Sequence, residues 1–299
     1  MPRSTGAPVR FERVALIGLG LIGSSLGRAL KRQAMAGEIV GHDAKPAVRA
    51  KSLEIGFIDR AEAEIAKAVD GADLVVVCVP MLAIGPVCEA MAPHLKDGAI
   101  VTDVGSCKTM ARDAMAKALP KRVHCVPGHP VAGTEHSGPE AGFPELFHQR
   151  WCILTPPEGT DAKAVRAVRA LWRQAGMNVE IMEAERHDLV LAITSHLPHL
   201  IAYTIVDTAV DLEADIKGDV IKFAAGGFRD FTRIAASDPT MWRDVFLTNK
   251  EAVLEMLGRF NEDLSVMQRA IRKGDGPTLF DKFTRTRAVR RSIIQAKQA

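Results

Sequence analysis

The first 183 residues alternate short apolar runs with segments of helical periodicity. The apolar runs are rich in β-branched residues, and they predict strands at 13–18, 38–43, 73–80, 99–106, 122–128, 150–156 and 178–183. Between them lie amphipathic segments, beginning with LIGSSLGRALKR and ending with DAKAVRAVRALWRQAG, which predict helices. Strands that are apolar throughout and alternate with helices are typical of a parallel sheet covered on both faces. The pattern therefore predicts one doubly wound α/β domain that the strand at 178–183 closes.

After residue 184 the strand pattern stops and long apolar helices follow. The segment AERHDLVLAITSHLPHLIAYTIVDTAV predicts one long helix with a kink at Pro198. A second helix is expected to begin with Asp238 as its N-cap and Pro239 in its first turn, and to run unbroken to Ile271. The length of this second helix fits a dimer contact and a single long core helix equally well. The pattern divides the chain into an α/β domain, 1–183, and an all-helical domain, 184–299.

Composition excludes several classes of protein. A chain of 299 residues, 47% of them hydrophobic, can form two domains with real cores. A net charge of +3 and an aromatic content of 5% favour neither nucleic-acid binding nor a membrane surface, and the basic C-terminal segment is interpreted as a solvated helix face. No apolar run approaches the length of a membrane span. Five scattered cysteines and no secretory signal indicate a reducing compartment, so a cytoplasmic protein is expected.

The motif GLGLIG follows the first predicted strand and opens the first predicted helix. Gly18 permits the tight turn, Gly20 lets the backbone approach a pyrophosphate, and Gly23 lets the helix pack on the strand. The helix N-terminus, with Leu21 and Ile22 in its first turn, offers free N–H groups and a positive dipole end to phosphates. Because the motif has the required strand before it and helix after it, it predicts a Rossmann-type dinucleotide site.

Asp43 identifies the dinucleotide. It ends the second predicted strand, 20 residues beyond Gly23. A carboxylate there can bind both ribose hydroxyls and would repel a 2′-phosphate, so NAD is expected rather than NADP. Lys45 and Arg49 lie just downstream and could soften that preference.

A histidine in the sequence VPGHPVAGTEHSG is the candidate catalytic residue. His129 lies between a glycine and a proline directly after the strand at 122–128, and Ser106 and Lys108 come directly after the apolar part, 99–104, of the strand predicted at 99–106. Ligands of doubly wound sheets bind beyond the carboxyl ends of the strands, where these residues fall. A neutral histidine beside a hydride acceptor can take the proton of a substrate hydroxyl. The alternative for a lone histidine is a hydrogen-bonded structural role.

The helical half supplies groups that suit an anionic substrate. His196 and His199 are three residues apart and share one face of a helix. A glycine-opened segment further on contains Arg229, Arg233, Trp242 and Arg243. Arginine binds carboxylates because its fork holds two oxygens at once, which suggests a small di-acid. No third ligand is spaced to complete a metal site with the two histidines, so no metal is expected.

Five motifs together resemble one enzyme family. They are GLGLIGSSLGRAL, DVGSCK, GHPVAGTEHSG, SHLPH and GGFRDFTRIAASDPTMWRD, and the resemblance extends from about residue 12 to residue 290. The chain is similar to the prephenate/arogenate (cyclohexadienyl) dehydrogenases of tyrosine biosynthesis. The resemblance implies a dimeric, NAD-dependent oxidative decarboxylase with its active site between the domains.

The resemblance also assigns roles to residues. His129 would be the base for the ring C4 hydroxyl, Ser106 would hold His129 and the hydroxyl in register, and Arg233 would clamp a substrate carboxylate. The pocket would be completed by His196, His199, Thr134, Glu135, Gly226 and Trp242. Prephenate would give 4-hydroxyphenylpyruvate and arogenate would give tyrosine, each with CO₂ and NADH.

Two other functions stay open at this point, and so does the choice of substrate. One is another two-domain NAD-dependent dehydrogenase acting on a small hydroxy acid, although such an enzyme would need a lysine where the helix at 184–210 has His196 and His199. The other is a non-catalytic NAD-binding protein. Arogenate carries an ammonium group that Glu135 or Asp230 could bind, so the sequence leaves prephenate and arogenate as alternatives.

Overall fold

The computed structural model describes residues 9–211 and 222–295, with side chains to residue 292. Residues 1–8, 212–221 and 296–299 of the predicted domains lie outside the described residues. The chain divides by compactness into two units, Met1–Lys250 and Glu251–Ala299. The predicted change of domain after residue 183 rests on a different criterion, the end of the strand pattern, and stays a prediction.

A six-stranded parallel sheet forms the centre of the first unit, in the order β3-β2-β1-β4-β5-β6. Its strands are β1 Phe11–Ile17, β2 Ala36–His42, β3 Arg60–Glu62, β4 Leu74–Val77, β5 Ile100–Asp103 and β6 His124–Cys125. The helices between them are α1 Leu21–Arg32, α2 Pro46–Ile55, α3 Ile65–Val69, α4 Ile84–Met91 and α5 Lys108–Ala118. The predicted doubly wound fold is confirmed, with α2 and β3 as elements that the pattern missed.

The two faces of the sheet explain why its strands are apolar throughout. Successive side chains of a strand point to opposite faces. Val14 and Leu16 of β1 therefore pack in one buried cluster, and Ala15 and Ile17 pack in another on the opposite face. All four residues of β4 are buried for the same reason.

The last three strands form a separate sheet, which corrects the prediction of a single parallel sheet. They are β7 Gly128–Val131, β8 Trp151–Leu154 and β9 Asn178–Ile181, with helix α6 Ala162–Gln174 between β8 and β9. Strand β7 is antiparallel to β8, and β8 is parallel to β9. The predicted strand 122–128 thus spans a break between β6 and β7. Pro127 and Pro130 have no N–H to donate, so they end the first ladder and suit β7 to the edge of the second sheet.

One nearly continuous helical segment follows β9. It consists of α7 Ala184–Leu191, a π-helical turn Ala192–His196 and α8 Leu197–Val210. The prolyl nitrogen of Pro198 cannot bond to the carbonyl group four residues earlier, and the irregular turn lies directly before it. The segment is thus irregular in the turn before this proline, and the predicted kink itself stays a prediction.

The segment Ala184–Val210 is also long and apolar enough, by length and composition, to cross a membrane. Less than a third of its apolar 18-residue stretch is buried. This finding corrects the expectation that no apolar run approaches the length of a membrane span. A single helix of this kind is weak support for a membrane span, because a core helix of a globular domain meets the same criteria.

The predicted unbroken helix from 239 to 271 is wrong. After α9 Gly226–Thr232, the chain forms α10 Pro239–Thr248 and then α11 Lys250–Lys273, with Asn249 at the break. The side chain of Asn249 makes tertiary hydrogen bonds to the α7 region, which a helical pattern does not reveal. The predicted cap is confirmed, because the Asp238 carboxylate accepts a hydrogen bond from the Met241 N–H at 2.9 Å. In the second unit, the basic C-terminal segment is helix α12 Gly276–Gln295.

Candidate active site

The glycine loop joins β1 to α1 at the carboxyl edge of the parallel sheet. Gly18 has a φ of 97°, which disfavours any side chain, and a Cβ on Gly23 would lie 2.1 Å from the carbonyl oxygen of Gly18. A Cβ on Gly20 would meet nothing within 4 Å. No side chain caps α1, so the N–H groups of its first turn, at Leu21 and Ile22, face an open cradle. These residues fit a dinucleotide pyrophosphate.

Asp43 stands one residue beyond the end of β2, whereas the sequence predicted it as the last residue of that strand. Its two carboxylate oxygens accept hydrogen bonds from the N–H groups of Leu19, at 3.1 Å, and Lys45, at 3.0 Å. These bonds orient the carboxylate and leave further lone pairs for ribose hydroxyls. Arg49 instead donates to the main-chain carbonyl of Asp43 at 2.6 Å. The geometry fits NAD better than a cofactor with a 2′-phosphate.

His129 lies on β7 with 7% of its surface exposed. Its Nδ1 is 2.8 Å from Nε2 of His187 on α7, and Nδ1 of His187 is 2.8 Å from Oδ1 of Asp188. Burial, followed by the neighbouring His187, Lys108 and His196, lowers the pKa of His129 well below the usual histidine value. The imidazole is therefore neutral at neutral pH, as a general base must be.

A fully buried ion pair holds the backbone beside His129. Nζ of Lys108 donates to Oδ2 of Asp103 at 2.5 Å and to the carbonyl oxygen of Gly128 at 2.7 Å. The other oxygen of Asp103 accepts from the Gly128 N–H at 3.1 Å. Both polar groups of Gly128 are thus bound by one ion pair, which anchors the start of β7 to the end of β5.

The two histidines of the helical segment meet a single indole ring. The ring of His199 stacks on Trp242 at a centroid distance of 3.7 Å, and His196 approaches the same ring edge-on at 6.1 Å. The Asn249 amide donates to the carbonyl oxygen of Asp188 and lies 3.1 Å from Nδ1 of His196. Nδ1 of His196 must therefore be the acceptor, so its Nε2 carries the hydrogen. That N–H is buried without a partner among the described residues, and it suits an acceptor on a ligand.

Two oppositely charged residues that the sequence placed in the substrate site, Arg233 and Glu135, form an ion pair. Arg233 donates to the Glu135 carboxylate at 3.3 Å, and its side chain is more than half exposed. Thr134 lies in the same exposed loop, where its hydroxyl accepts from the His136 N–H. Gly226 starts α9, and no hydrogen bond joins it to the histidines within the described residues.

Ser106 lies half-buried in the loop between β5 and α5, and it forms no hydrogen bond with His129. Nδ1 of His129 contacts His187 instead, and the role expected for Ser106 stays a prediction. His187 and Asp188 were not among the residues expected from the sequence, because a His-Asp pair in the first turns of a helix resembles a solvated surface. The available signal was that this pair opens the helix that also carries His196.

Within residues 9–211 and 222–295, no three His, Cys, Asp or Glu side chains are arranged to hold a metal ion. A parallel sheet with an uncapped glycine loop at its carboxyl edge, in a chain that also buries a neutral histidine, indicates a nicotinamide-dependent dehydrogenase. Comparison with known proteins then identifies the family. Residues 26–181 match the nucleotide-binding domain of prephenate dehydrogenase, and residues 183–285 match its dimerization domain.

Individual relatives agree with the family match. The chain is 41% identical to the cyclohexadienyl dehydrogenase of Zymomonas mobilis, over 95% of this chain and 96% of the relative. Its structure matches prephenate dehydrogenase from Aquifex aeolicus in complex with hydroxyphenyl propionate and NAD⁺, with a TM-score of 0.90, 35% identity, and coverage of 96% of this chain and 100% of the other. For arogenate dehydrogenase from Synechocystis, the TM-score is 0.79 and the identity 27%, over 94% of this chain and 99% of the other.

The chain therefore belongs to the prephenate dehydrogenase family. It is an NAD-dependent oxidoreductase. The resemblance, the fold class and the cofactor expected from the sequence are confirmed.

Proposed function

We propose that this chain converts prephenate to 4-hydroxyphenylpyruvate and CO₂, and that His129 is the base for the ring C4 hydroxyl. The observation that carries the proposal is a buried, neutral imidazole whose Nδ1 is occupied by His187. No hydrogen bond to Nε2 of His129 is formed by the part of the chain that the structure describes. This nitrogen is therefore free to accept a proton from a substrate.

Bound NAD⁺ would accept the hydride from C4 of the ring. As that hydride leaves, Nε2 of His129 takes the hydroxyl proton, and loss of the ring carboxylate as CO₂ supplies the electrons that make the ring aromatic. The product is a phenol, so the proton held by His129 returns to the phenolate oxygen. His129 thus stores the proton during the reaction, and no net proton is released.

The groups around His129 suit a di-acid. We propose that Arg233 binds a substrate carboxylate, as its long exposed side chain can exchange Glu135 for the ligand. The partnerless N–H of His196 provides a further donor, next to His199 and Trp242. Thr134 and Gly226 would complete the pocket, and Ser106 would contact the substrate hydroxyl.

Prephenate is proposed as the better substrate and arogenate as the second. The two carboxylates that could bind an ammonium group already have cationic partners: Glu135 pairs with Arg233, and Asp230 lies 3.7 Å from Arg229. An ammonium group would have to compete with these arginines. The proposal includes a homodimer, which the matched dimerization domain supports, and the cytoplasmic location expected from the scattered free cysteines.

The test follows NADH absorbance with prephenate and with arogenate, for the wild type and for His129→Ala. We expect the wild type to oxidise prephenate, and the variant to lose about 10²- to 10⁴-fold in kcat, as is typical for removal of a general base. The binding of NAD⁺ should not change, because His129 is on β7 and the glycine loop is on β1. The matched control is His94→Ala, an exposed histidine away from these residues, which should keep full activity.

Two results would contradict the proposal. Full activity of His129→Ala would remove the histidine from its assigned role. A folded wild type that binds NAD⁺ but oxidises neither substrate would leave only a non-catalytic NAD-binding protein or a dehydrogenase for another hydroxy acid.

A further inference from the structure

We infer that His187 and Asp188 are positioning residues for the reaction: they hold His129 in the tautomer that leaves Nε2 free, and they share the proton that His129 takes up. This inference rests on the proposed function of His129. A chain of hydrogen bonds starts at the Asp188 carboxylate, passes through His187 and ends at His129.

The Asp188 carboxylate is held as an anion. Its oxygens accept hydrogen bonds from the N–H groups of Lys108, at 2.7 Å, and Thr109, at 2.9 Å, which begin α5. Burial alone would raise the pKa of this carboxyl, but the bonds from His187 and from these two residues outweigh it and lower the pKa. An ionised carboxylate can only accept hydrogen bonds.

The tautomers of both histidines follow from that anion. Because Oδ1 of Asp188 can only accept, the hydrogen of His187 is on its Nδ1, and its Nε2 carries a lone pair. That lone pair faces Nδ1 of His129 at 2.8 Å, so the hydrogen of His129 is on Nδ1. Nε2 of His129 is then bare, as a base for a hydroxyl group requires.

The same chain provides a place for positive charge during the reaction. When Nε2 of His129 takes the substrate proton, the imidazole becomes a cation near Lys108 and His196. The Nδ1–H bond of His129 can then break while an Nε2–H bond forms on His187, which moves the charge next to Asp188. The reverse transfer restores both rings when the phenolate recovers its proton, so no proton enters or leaves the chain.

The remaining ionisable groups around the chain make Asp188 the effective counter-charge. His129 faces His187 of α7, His196 of the π-helical turn and Lys108 of α5. His187 faces Asp188, Lys108 and Asp103. Asp103 and Lys108 neutralise each other in a fully buried ion pair. Among these groups, Asp188 is the carboxylate without a side-chain cation of its own.

Three variants separate the two roles. Asp188→Asn removes the negative charge, and we expect kcat to fall by about one to two orders of magnitude. The acid limb of the pH profile of kcat should move about one pH unit lower, because the cation on His129 loses its counter-charge. His187→Leu removes the acceptor and should approach the low kcat of His129→Ala. His187→Gln offers an amide oxygen to Nδ1–H of His129 but cannot take a proton, so its kcat should lie between those of the wild type and His187→Leu.

The matched control is Asp161→Asn. Asp161 also accepts two main-chain hydrogen bonds at a helix start, from Lys163 and Ala164. Unlike Asp188, it has no hydrogen bond from a histidine among the described residues. Because asparagine caps a helix about as well as aspartate, Asp161→Asn should leave the melting temperature, kcat, its pH profile and both KM values unchanged.

The outcomes distinguish this inference from the proposed function. If His129→Ala is inactive while His187→Leu and Asp188→Asn keep the wild-type kcat and pH profile, the inference is overturned and the function stands. The tautomer is also measured without turnover, by two-dimensional ¹H–¹⁵N spectra of protein labelled at histidine nitrogen. A wild-type signal of His129 with the hydrogen on Nε2 would overturn the inference even if no substrate is oxidised. If Asp188→Asn does not fold, the two His187 variants decide.

Discussion

Charged side chains in the interior of this enzyme are tolerated because they have specific partners. Asp103 pairs with Lys108, Asp188 accepts main-chain N–H groups, and His129 bonds to His187. At the scale of residues, burial disfavours the charged form of a histidine, so the buried histidines are neutral. Burial lowers the pKa of His196 to about 4.

Because the pKa of His196 is lowered, the free energy of unfolding should depend on pH. An unfolded chain binds a proton at His196 near pH 6.5, whereas the folded protein excludes it until about pH 4. Acidification through that window therefore destabilises the fold, by about 1.4 kcal/mol per pH unit and about 3 kcal/mol in all. His129 and His187, whose pKa values are also lowered by burial, act in the same direction.

Urea unfolding across this pH range measures the effect. We expect the free energy of unfolding to fall as the pH is lowered, and His196→Asn to show a shallower dependence than the wild type. Equal stability at both ends of the window would contradict the assignment of neutral buried histidines.

At the scale of elements, the glycine loop separates two requirements that its sequence motif combines. Gly23 lets α1 pack against the loop, since an added Cβ would overlap the Gly18 carbonyl, whereas the space beside Gly20 is open. Gly23 is therefore needed for folding, whereas Gly20 is needed only when a phosphate approaches.

Alanine substitutions at the two positions should therefore differ. Gly20→Ala should weaken NAD⁺ binding by about tenfold or more with no change in melting temperature, because its Cβ meets only the approaching pyrophosphate. Gly23→Ala should lower the melting temperature, because a 2.1 Å contact with backbone must be relieved by moving the helix. Isothermal titration with NAD⁺ and thermal unfolding distinguish the two. The reverse pattern would show that the loop does not bind the pyrophosphate as proposed.

At the scale of the whole molecule, apolar side chains that remain exposed indicate an interface. Ile271 and Phe280, on α11 and α12, are 67% and 69% exposed. The same two helices also expose Leu264, Phe283 and Val289. Large apolar side chains concentrated on neighbouring helices are typical of surfaces that a partner covers. The matched dimerization domain indicates a second copy of this chain.

Sedimentation measures this prediction. The wild type should sediment at twice the chain mass of 32.3 kDa, and the double variant Ile271→Ser with Phe280→Ser should shift towards one chain mass. The control Leu53→Ser removes an exposed leucine on α2 and should leave the dimer intact. A wild type that sediments as a monomer at micromolar concentration would contradict the dimer.

The sequence by itself determined the doubly wound parallel sheet and the glycine loop, and it marked Asp43 and His129 as candidates, because these depend on local periodicity and on short motifs whose chemistry is local. Only the tertiary structure decided where the second sheet starts, why a helix breaks at Asn249, and that His187 rather than Ser106 contacts His129. Each of these depends on hydrogen bonds between residues far apart in the chain: Asn249 bonds to the main chain of Asp188, and His187 bonds to His129, 58 positions earlier. The energy of such bonds depends on distance and burial, which no linear pattern contains.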